Sequence, residues 1–234
     1  MRPLGVLVTG DPVPRVEERR GPFVALIRAV LGDAWPGPVV TFDARRGELP
    51  EPQELGALVI TGSPESVASR APWILAAERA LRGVVDAGVP TLGICFGHQL
   101  LGQALGGEVA LNPRGREMGS VPLTLLESDA LLGAAAGPYL TNMSHRDSVT
   151  RLPPGARVLA RTELEPHAAV RFGERAWGVQ FHPEFDGEVM RGYIEARAAA
   201  LAADGIDPES LAALDAPEAA RVVTAFAKLA QDSR

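Results

Sequence analysis

Thr91 to Leu105, TLGICFGHQLLGQAL, holds the only cysteine of the chain, Cys95. Ahead of it, Val89, Thr91, Leu92 and Ile94 are apolar or β-prone, which predicts a short buried strand. Behind it, Leu100, Leu101, Ala104 and Leu105 fall at helical spacing, and Gly106-Gly107 supplies a stop. Cys95 therefore lies where a strand turns into a helix, with Gly93 and Gly97 two positions to either side. This is the layout of a nucleophile elbow, with cysteine in place of the more usual serine. Such a turn holds the nucleophile in a strained backbone conformation, and side chains two positions away would collide with the neighbouring strand and helix. The helix N-terminus favours thiolate over thiol. The N–H of Phe96 points to where an oxyanion would form. A free cysteine is most often a small buried hydrophobe. The G-x-C-x-G frame at a strand-to-helix junction turns the reading toward a nucleophile.

Outward from the elbow, strand and helix signals alternate. Leu4 to Thr9 reads as a buried strand, followed by Gly10-Asp11-Pro12 and a polar loop to Arg20. Pro22 opens a helix with Phe23, Leu26, Ile27, Val30 and Leu31 on one face and Gly32 as its stop. Val39 to Phe42 and Leu58 to Ile60 are further strands, and Trp73 to Ala87 is a helix ended by Gly88 and Pro90. This alternation predicts an α/β fold with a doubly wound, mostly parallel sheet and helices on both faces. In such sheets the site forms at the carboxyl ends of the strands, where Gly10, Gly62 and Cys95 fall. Beyond Glu108 the pattern becomes short strands with turns: Val109 to Leu111, Val121 to Leu126, Arg157 to Ala160, Ala168 to Phe172 and Trp177 to Phe181. They predict an antiparallel extension in the second half. Glu188 to Ala203 is a helix, and Pro217 to Ala230 is a last helix capped by Asp215. One domain over residues 1–204 and a helical tail over 205–234, packed on or beside it, are expected.

The chain has 234 residues, 46% of them hydrophobic, enough for a sizeable core. The net charge of −6 and the lack of a basic cluster with interleaved aromatics argue against a nucleic-acid surface. No stretch approaches transmembrane length, and no signal peptide is legible. A single cysteine excludes an intrachain disulfide and suits a reducing cytoplasm.

A thiolate that expels an amine needs a proton carrier, normally histidine, and a group that orients the imidazole. His98 lies on the first turn of the elbow helix and should point away from the sulfur, as a packing residue. His167 opens a strand in a charged stretch and is a weak candidate. His145 lies in a polar loop that suits substrate binding. His182 follows the apolar strand Trp177 to Phe181 and precedes Pro183-Glu184. Its ring would stand at a strand's carboxyl end, where the elbow opens, with Glu184 placed to accept the other ring N–H.

These residues carry a family resemblance. Gly93-Ile94-Cys95-Phe96-Gly97-His98-Gln99 with Phe181-His182-Pro183-Glu184 resembles the Cys-His-Glu class I glutamine amidotransferases, which are flavodoxin-like in fold. Ile60-Thr61-Gly62-Ser63-Pro64-Glu65-Ser66 resembles the family's oxyanion-strand loop, with Ser63 where glycine is usual before this proline. Met143-Ser144-His145-Arg146-Asp147-Ser148-Val149 resembles a segment of the GMP synthase glutaminase type. The four elements occur in family order over residues 60–184.

The resemblance implies a catalytic triad of Cys95, His182 and Glu184 and an oxyanion hole from the N–H groups of Ser63 and Phe96. It implies that Gly62, Gln99, Ser144, His145, Arg146 and Asp147 hold the amino-acid head of a γ-glutamyl substrate. Cys95 would attack the γ-carbonyl, His182 would protonate the departing nitrogen, and water would then release glutamate from the thioester. No cofactor and no metal are expected. No P-loop and no Ser-Gly-Gly-x-Asp-Ser motif is present, so the implied partner is glutamine or another γ-glutamyl small molecule, with a separate ammonia-accepting synthetase as a further one. A γ-glutamyl peptidase or γ-glutamyl amine hydrolase, and a non-catalytic regulatory binding protein on the same fold, stay open as alternatives. Other cysteine hydrolases with an elbow on a similar sheet lack the His-x-Glu strand end.

Overall fold

The computed structural model describes residues 2–133 and 139–232. The first half alternates as expected, with β1 (Leu4–Val8), α1 (Pro14–Arg20), α2 (Phe23–Leu31), β2 (Val39–Asp43), β3 (Ala57–Ile60), α3 (Pro72–Asp86), β4 (Thr91–Ile94) and α4 (Phe96–Ala104). The second half holds β5 (Glu108–Leu111), β6 (Glu117–Leu125), β7 (Tyr139–His145), β8 (Asp147–Arg151), β9 (Arg157–Arg161), β10 (Ala169–Gly173), β11 (Ala176–Val179), α5 (Gly187–Ala196), α6 (Ala198–Ala203) and α7 (Pro217–Gln231).

Among the described residues nine strands form one sheet in the order β2-β1-β3-β4-β11-β10-β9-β6-β7. The block β2-β1-β3-β4-β11 is parallel, and the strands beyond β11 run antiparallel. The fold is therefore α/β with a largely parallel central sheet continued by an antiparallel extension. β5 and β8 pair separately, beside α4. Strands β1, β3 and β4 are buried along their whole length because helices cover both faces. Ile27 and Leu31 of α2 and Val222, Val223 and Phe226 of α7 share one core with Val6, Val59 and Ile94. Ile74 and Leu81 of α3 and Leu100 and Leu101 of α4 share the other with Leu7, Leu58 and Ile60. A third cluster brings Val16 of α1 and Phe23 against Phe185, Met190 and Tyr193.

Four local expectations change. The stretch to Arg20 contains α1, which buries only Val16. Arg20 instead pairs with Asp186 at 2.6 Å and Glu188 at 3.1 Å across to α5, so apolar periodicity carries no signal there. The polar segment before residue 150 forms β7 and β8. Its Thr141, Asn142, His145 and Ser148 are buried, and a strand that buries polar side chains escapes a hydrophobic reading. The helix beyond Asp186 breaks at Arg197 (φ −109°, ψ 11°) into α5 and α6. Asp215 does not cap α7, whose N-cap is Ala216 without a side-chain bond; its Oδ1 accepts from the N–H of Gly187 at 2.9 Å.

Residues of the C-terminal segment enter the main core. Phe226 is fully buried and meets Trp177 of β11 edge-on, with ring centroids 6.3 Å apart. Phe226→Ala is expected to cost about 3–5 kcal/mol in a urea unfolding titration. A loss below about 1 kcal/mol would show that α7 is peripheral to the cooperative unit.

Candidate active site

Cys95 has φ 51° and ψ −104°, and only Arg70 shares a positive φ among the described non-glycine residues. A non-glycine residue in that region stores about 1–3 kcal/mol of strain, so its surroundings must impose it. The Cys95 N–H donates to the carbonyl of Val179 on β11 at 2.8 Å, and its own carbonyl accepts from Gln99 at 3.1 Å. The flanking glycines permit the packing. A Cβ on Gly93 would lie 2.4 Å from the Gly97 carbonyl oxygen, and one on Gly97 would lie 2.5 Å from that of Ile60.

His182 lies beyond the end of β11, where its backbone N–H donates to the Asn142 carbonyl at 2.9 Å. Nδ1 is 2.8 Å from Glu184 Oε1, which leaves Nε2 for the sulfur. Phe185 stacks on the ring at 4.0 Å between centroids, with Phe23 and Tyr193 near it. Gly62 makes room for it, since a Cβ there would lie 2.9 Å from His182 Cε1. Burial disfavours the charged ring, but the charge of Glu184 and the charge and hydrogen bond of Cys95 outweigh it and push its pKa up to about 10.

The other buried histidines behave differently. His98 is fully buried against Phe172, and burial pushes its pKa down to about 3, so it is a neutral packing group. His145 is buried as well, facing away from solvent, with Nε2 3.3 Å from Glu117 Oε2 and Nδ1 donating to the Asp147 carbonyl at 3.0 Å. Glu165 lies 3.8 Å from Nδ1. Burial opposes its charge, but Glu117 and Glu165 prevail and raise its pKa. His167 lies outside this group, its Nδ1 donating to the Val149 carbonyl at 2.6 Å.

The oxyanion-strand loop is fixed by a buried hydroxyl network. The Thr9 hydroxyl donates to the Thr61 and Gly62 carbonyls at 2.9 and 3.0 Å, and the Thr61 hydroxyl reaches the Gly62 carbonyl at 3.0 Å. In a trans peptide the carbonyl and the next N–H point in opposite directions. With the Gly62 carbonyl turned inward, the Ser63 N–H turns toward the cleft. The Gly97 N–H donates to the Thr61 carbonyl at 3.1 Å and ties this loop to the elbow.

Cys95 stands between two cavities. One, about 140 Å³, is lined by Ser63, Phe96, Gln99, Ser144, Arg146 and Asp147, among others. The other, about 170 Å³, holds His182. Asp147 bonds the Ser66 hydroxyl, and Arg146 is exposed at the rim. Gln99 lines the first cavity, but its amide N–H groups go to the Asp147 carbonyl at 2.7 Å and Gln180 Oε1 at 3.0 Å. It therefore braces the loop rather than offering those donors to a ligand.

Two site residues escaped the sequence reading. Gln180 is fully buried, and its Nε2 is 3.5 Å from the Cys95 sulfur. Its signal is the period-two alternation Gln180, His182, Glu184 at the end of an apolar strand. Thr9 carries the hydroxyl that orients Gly62, and nothing in its neighbours marks it. A sulfur, a carboxylate-bound imidazole and a backbone N–H turned to the cleft together suit acyl transfer.

The family described as glutamine amidotransferase class-I matches residues 38–199. The chain is 40% identical over 147 residues to the glutamine-hydrolysing GMP synthase of Aeropyrum pernix, covering 63% of this chain and 27% of that protein. It is 44% identical over 129 residues to the enzyme of the same name from Thermus thermophilus, covering 55% of this chain and 24% of that one. It thus spans about a quarter of these relatives' length. A glutamine amidotransferase structure from Thermotoga maritima superposes with a TM-score of 0.72 at 21% identity, over 99% of this chain and 97% of the other. The Gly-Ile-Cys-Phe-Gly elbow and the His182-x-Glu184 strand end thus stand within a matched region covering most of the chain, which belongs to the class I glutamine amidotransferases.

Proposed function

We propose that the protein hydrolyses a γ-glutamyl amide, glutamine in the simplest case, to glutamate and ammonia through a Cys95 thioester. The observation that carries this reading is the shared surroundings of Cys95 and His182. The sulfur is held on a strained turn, and the imidazole beside it has Nδ1 2.8 Å from Glu184.

The steps follow from the charges. The imidazolium favours a thiolate beside it, and the Gln180 amide donates to the same sulfur. The thiolate attacks the γ-carbonyl, whose oxygen moves toward the N–H groups of Ser63 and Phe96. That attack removes the negative charge that helps to keep the His182 pKa high. The ring becomes a stronger acid at the moment when the nitrogen must be protonated. Once neutral, it takes a proton from the water that cleaves the thioester. Glu184 keeps the ring in one orientation and tautomer throughout. Gly62, Ser144, Arg146 and Asp147 surround the amino-acid head, and His145 acts on it through the loop.

The partner that best fits a glutaminase of this kind is an ammonia-consuming synthetase on another chain. Support for that partner is the similarity to glutamine-hydrolysing GMP synthases.

Glutamate release from glutamine is expected to fall at least about 10³-fold in Cys95→Ala. A chloroketone analogue of glutamine should add once to the native protein, by intact mass, and not to that variant. Turnover persisting in Cys95→Ala would sink the mechanism.

The His182 charge gives a second expectation. Its folded-state pKa of about 10 exceeds the ordinary 6.5, so protonation contributes stability that is complete below about 6.5 and is lost as pH rises through about 10. Glu184→Gln should lower the ring's titration midpoint by more than about one pH unit, read from its carbon-bound proton by NMR. It should cost less turnover than Cys95→Ala. An unmoved midpoint would mean that the carboxylate does not hold the imidazolium.

A further inference from the structure

Besides His182, the Cys95 sulfur meets two groups of opposite kind. The Ser144 carbonyl, 3.8 Å away, only accepts, and it favours the thiol that would donate to it. The Gln180 amide, with Nε2 3.5 Å away, donates, and it favours the thiolate. A primary amide has two ends of nearly the same shape. Turned end for end, Gln180 would set a second acceptor against the sulfur, and only the thiol would be favoured. Whatever fixes the direction of this amide therefore acts on the nucleophile.

The direction is set from a distance. The Asp147 carbonyl only accepts, so the Gln99 amide turns Nε2 toward it, at 2.7 Å. The other proton of that nitrogen points to Gln180, so Gln180 answers with Oε1, at 3.0 Å. Its own Nε2 is then left for the sulfur. The origin of this chain is anchored, because His145 Nδ1 donates to the same Asp147 carbonyl at 3.0 Å. The backbones are anchored too. The Gln99 N–H donates to the Cys95 carbonyl at 3.1 Å, and the Gln180 N–H to the Ala168 carbonyl at 2.9 Å. Both glutamines are buried, where a reversed amide would set carbonyl against carbonyl with little solvent to relieve it.

We propose that Gln99 and Gln180 form an amide relay that keeps an N–H on the nucleophilic sulfur, Gln180 as a catalytic residue that touches the reacting atom and Gln99 as a positioning residue that acts through it. The inference rests on the reading of Cys95 as the nucleophile. It moves Gln99 from the amino-acid head, where the resemblance puts it, to the sulfur. It also joins the rim to the chemistry. The loop from Ser144 to Asp147 supplies both the carbonyl that meets the sulfur and the carbonyl that orients the relay.

Iodoacetamide is neutral and has no amino-acid head, so its rate of reaction with Cys95 at neutral pH, followed by intact mass, reads the sulfur alone. Gln180→Met should slow that reaction at least about tenfold. Gln99→Met should slow it about fivefold, although Gln99 makes no hydrogen bond to the sulfur. The double variant should be no slower than Gln180→Met, because both changes cut one chain. With glutamine as substrate, Gln99→Met should lower kcat and leave KM within about twofold, whereas a grip on the amino-acid head would raise KM. In the native protein the Gln180 side-chain N–H protons should show a nuclear Overhauser contact with the Cys95 β-protons, a readout that needs no variant to fold. A native alkylation rate in Gln99→Met, multiplied effects in the double variant, a raised KM with kcat unchanged, or a missing Overhauser contact would each overturn the relay while leaving a hydrolase intact. Turnover surviving in Cys95→Ala would instead remove the hydrolase itself.

Discussion

The contact on which the site depends is that between the elbow and the end of β3. The Gly97 N–H donates to Thr61, and the space beside Gly97 is filled by the Ile60 carbonyl, 2.5 Å from where a Cβ would stand. At that distance no side chain fits, so the helix can approach the strand only with glycine there. The approach fixes three things together. It holds Cys95 in its positive-φ conformation, sets the loop of Ser63 beside the sulfur, and brings the N-terminal turn of α4 under both. A strained turn lasts only when the surroundings over-determine it. Here β11 supplies the other restraint, through the Val179 carbonyl. The strand that restrains the cysteine is thus the strand that delivers Gln180 and His182.

The second organising feature is electrostatic. Three histidines are buried to a similar degree, and their charges differ because their neighbours differ. His98 meets an aromatic ring and no carboxylate, and burial, helped by the charges of His167 and His145, drives its pKa down to about 3. His182 meets one carboxylate and one thiol, and its pKa rises to about 10. Burial magnifies whichever neighbour is present, because low-dielectric surroundings weaken every competing interaction with water. The same side chain thus packs as an apolar disc in one place and carries a proton in another.

Much of this was legible in the sequence, for identifiable reasons. The elbow is a short-range pattern in which glycine spacing follows directly from backbone collision. His182 and Glu184 were legible because an apolar strand stops abruptly at two titratable residues. The parallel block showed itself through continuous apolar strands. β7 was hidden because, besides Met143, its buried positions are threonine, asparagine and histidine, and Asn142 and His145 find side-chain partners far away in sequence. Asn142 illustrates the difficulty: its amide donates to Phe185 at 2.8 Å, and its Oδ1 accepts from Ser120 at 2.6 Å. α1 was hidden for the opposite reason, since its outward face pairs with α5 by charge. Gln180 was passed over because it lay inside a segment read only for its apolar residues.

His145 has both ring nitrogens turned to other groups of the protein. It lies in the segment expected to touch a substrate, yet its ring faces a buried acidic pair. Two carboxylates, Glu117 and Glu165, and the Asp147 carbonyl converge on it, while Thr162 donates to both oxygens of Glu117 at 2.7 and 2.9 Å. A neutral side chain there would leave a buried carboxylate without its cation, a loss of several kcal/mol. An imidazolium supplies two N–H donors and one positive charge within a flat ring, which a lysine or an amide cannot do. The chain crosses from the large sheet to the small one between β7 and β8, where the Asn112 N–H donates to the Arg146 carbonyl at 2.8 Å. The buried His145 ring adds a second tie. By gripping both the acids of the extension and the carbonyl of Asp147, it fixes the rim of the first lobe from behind.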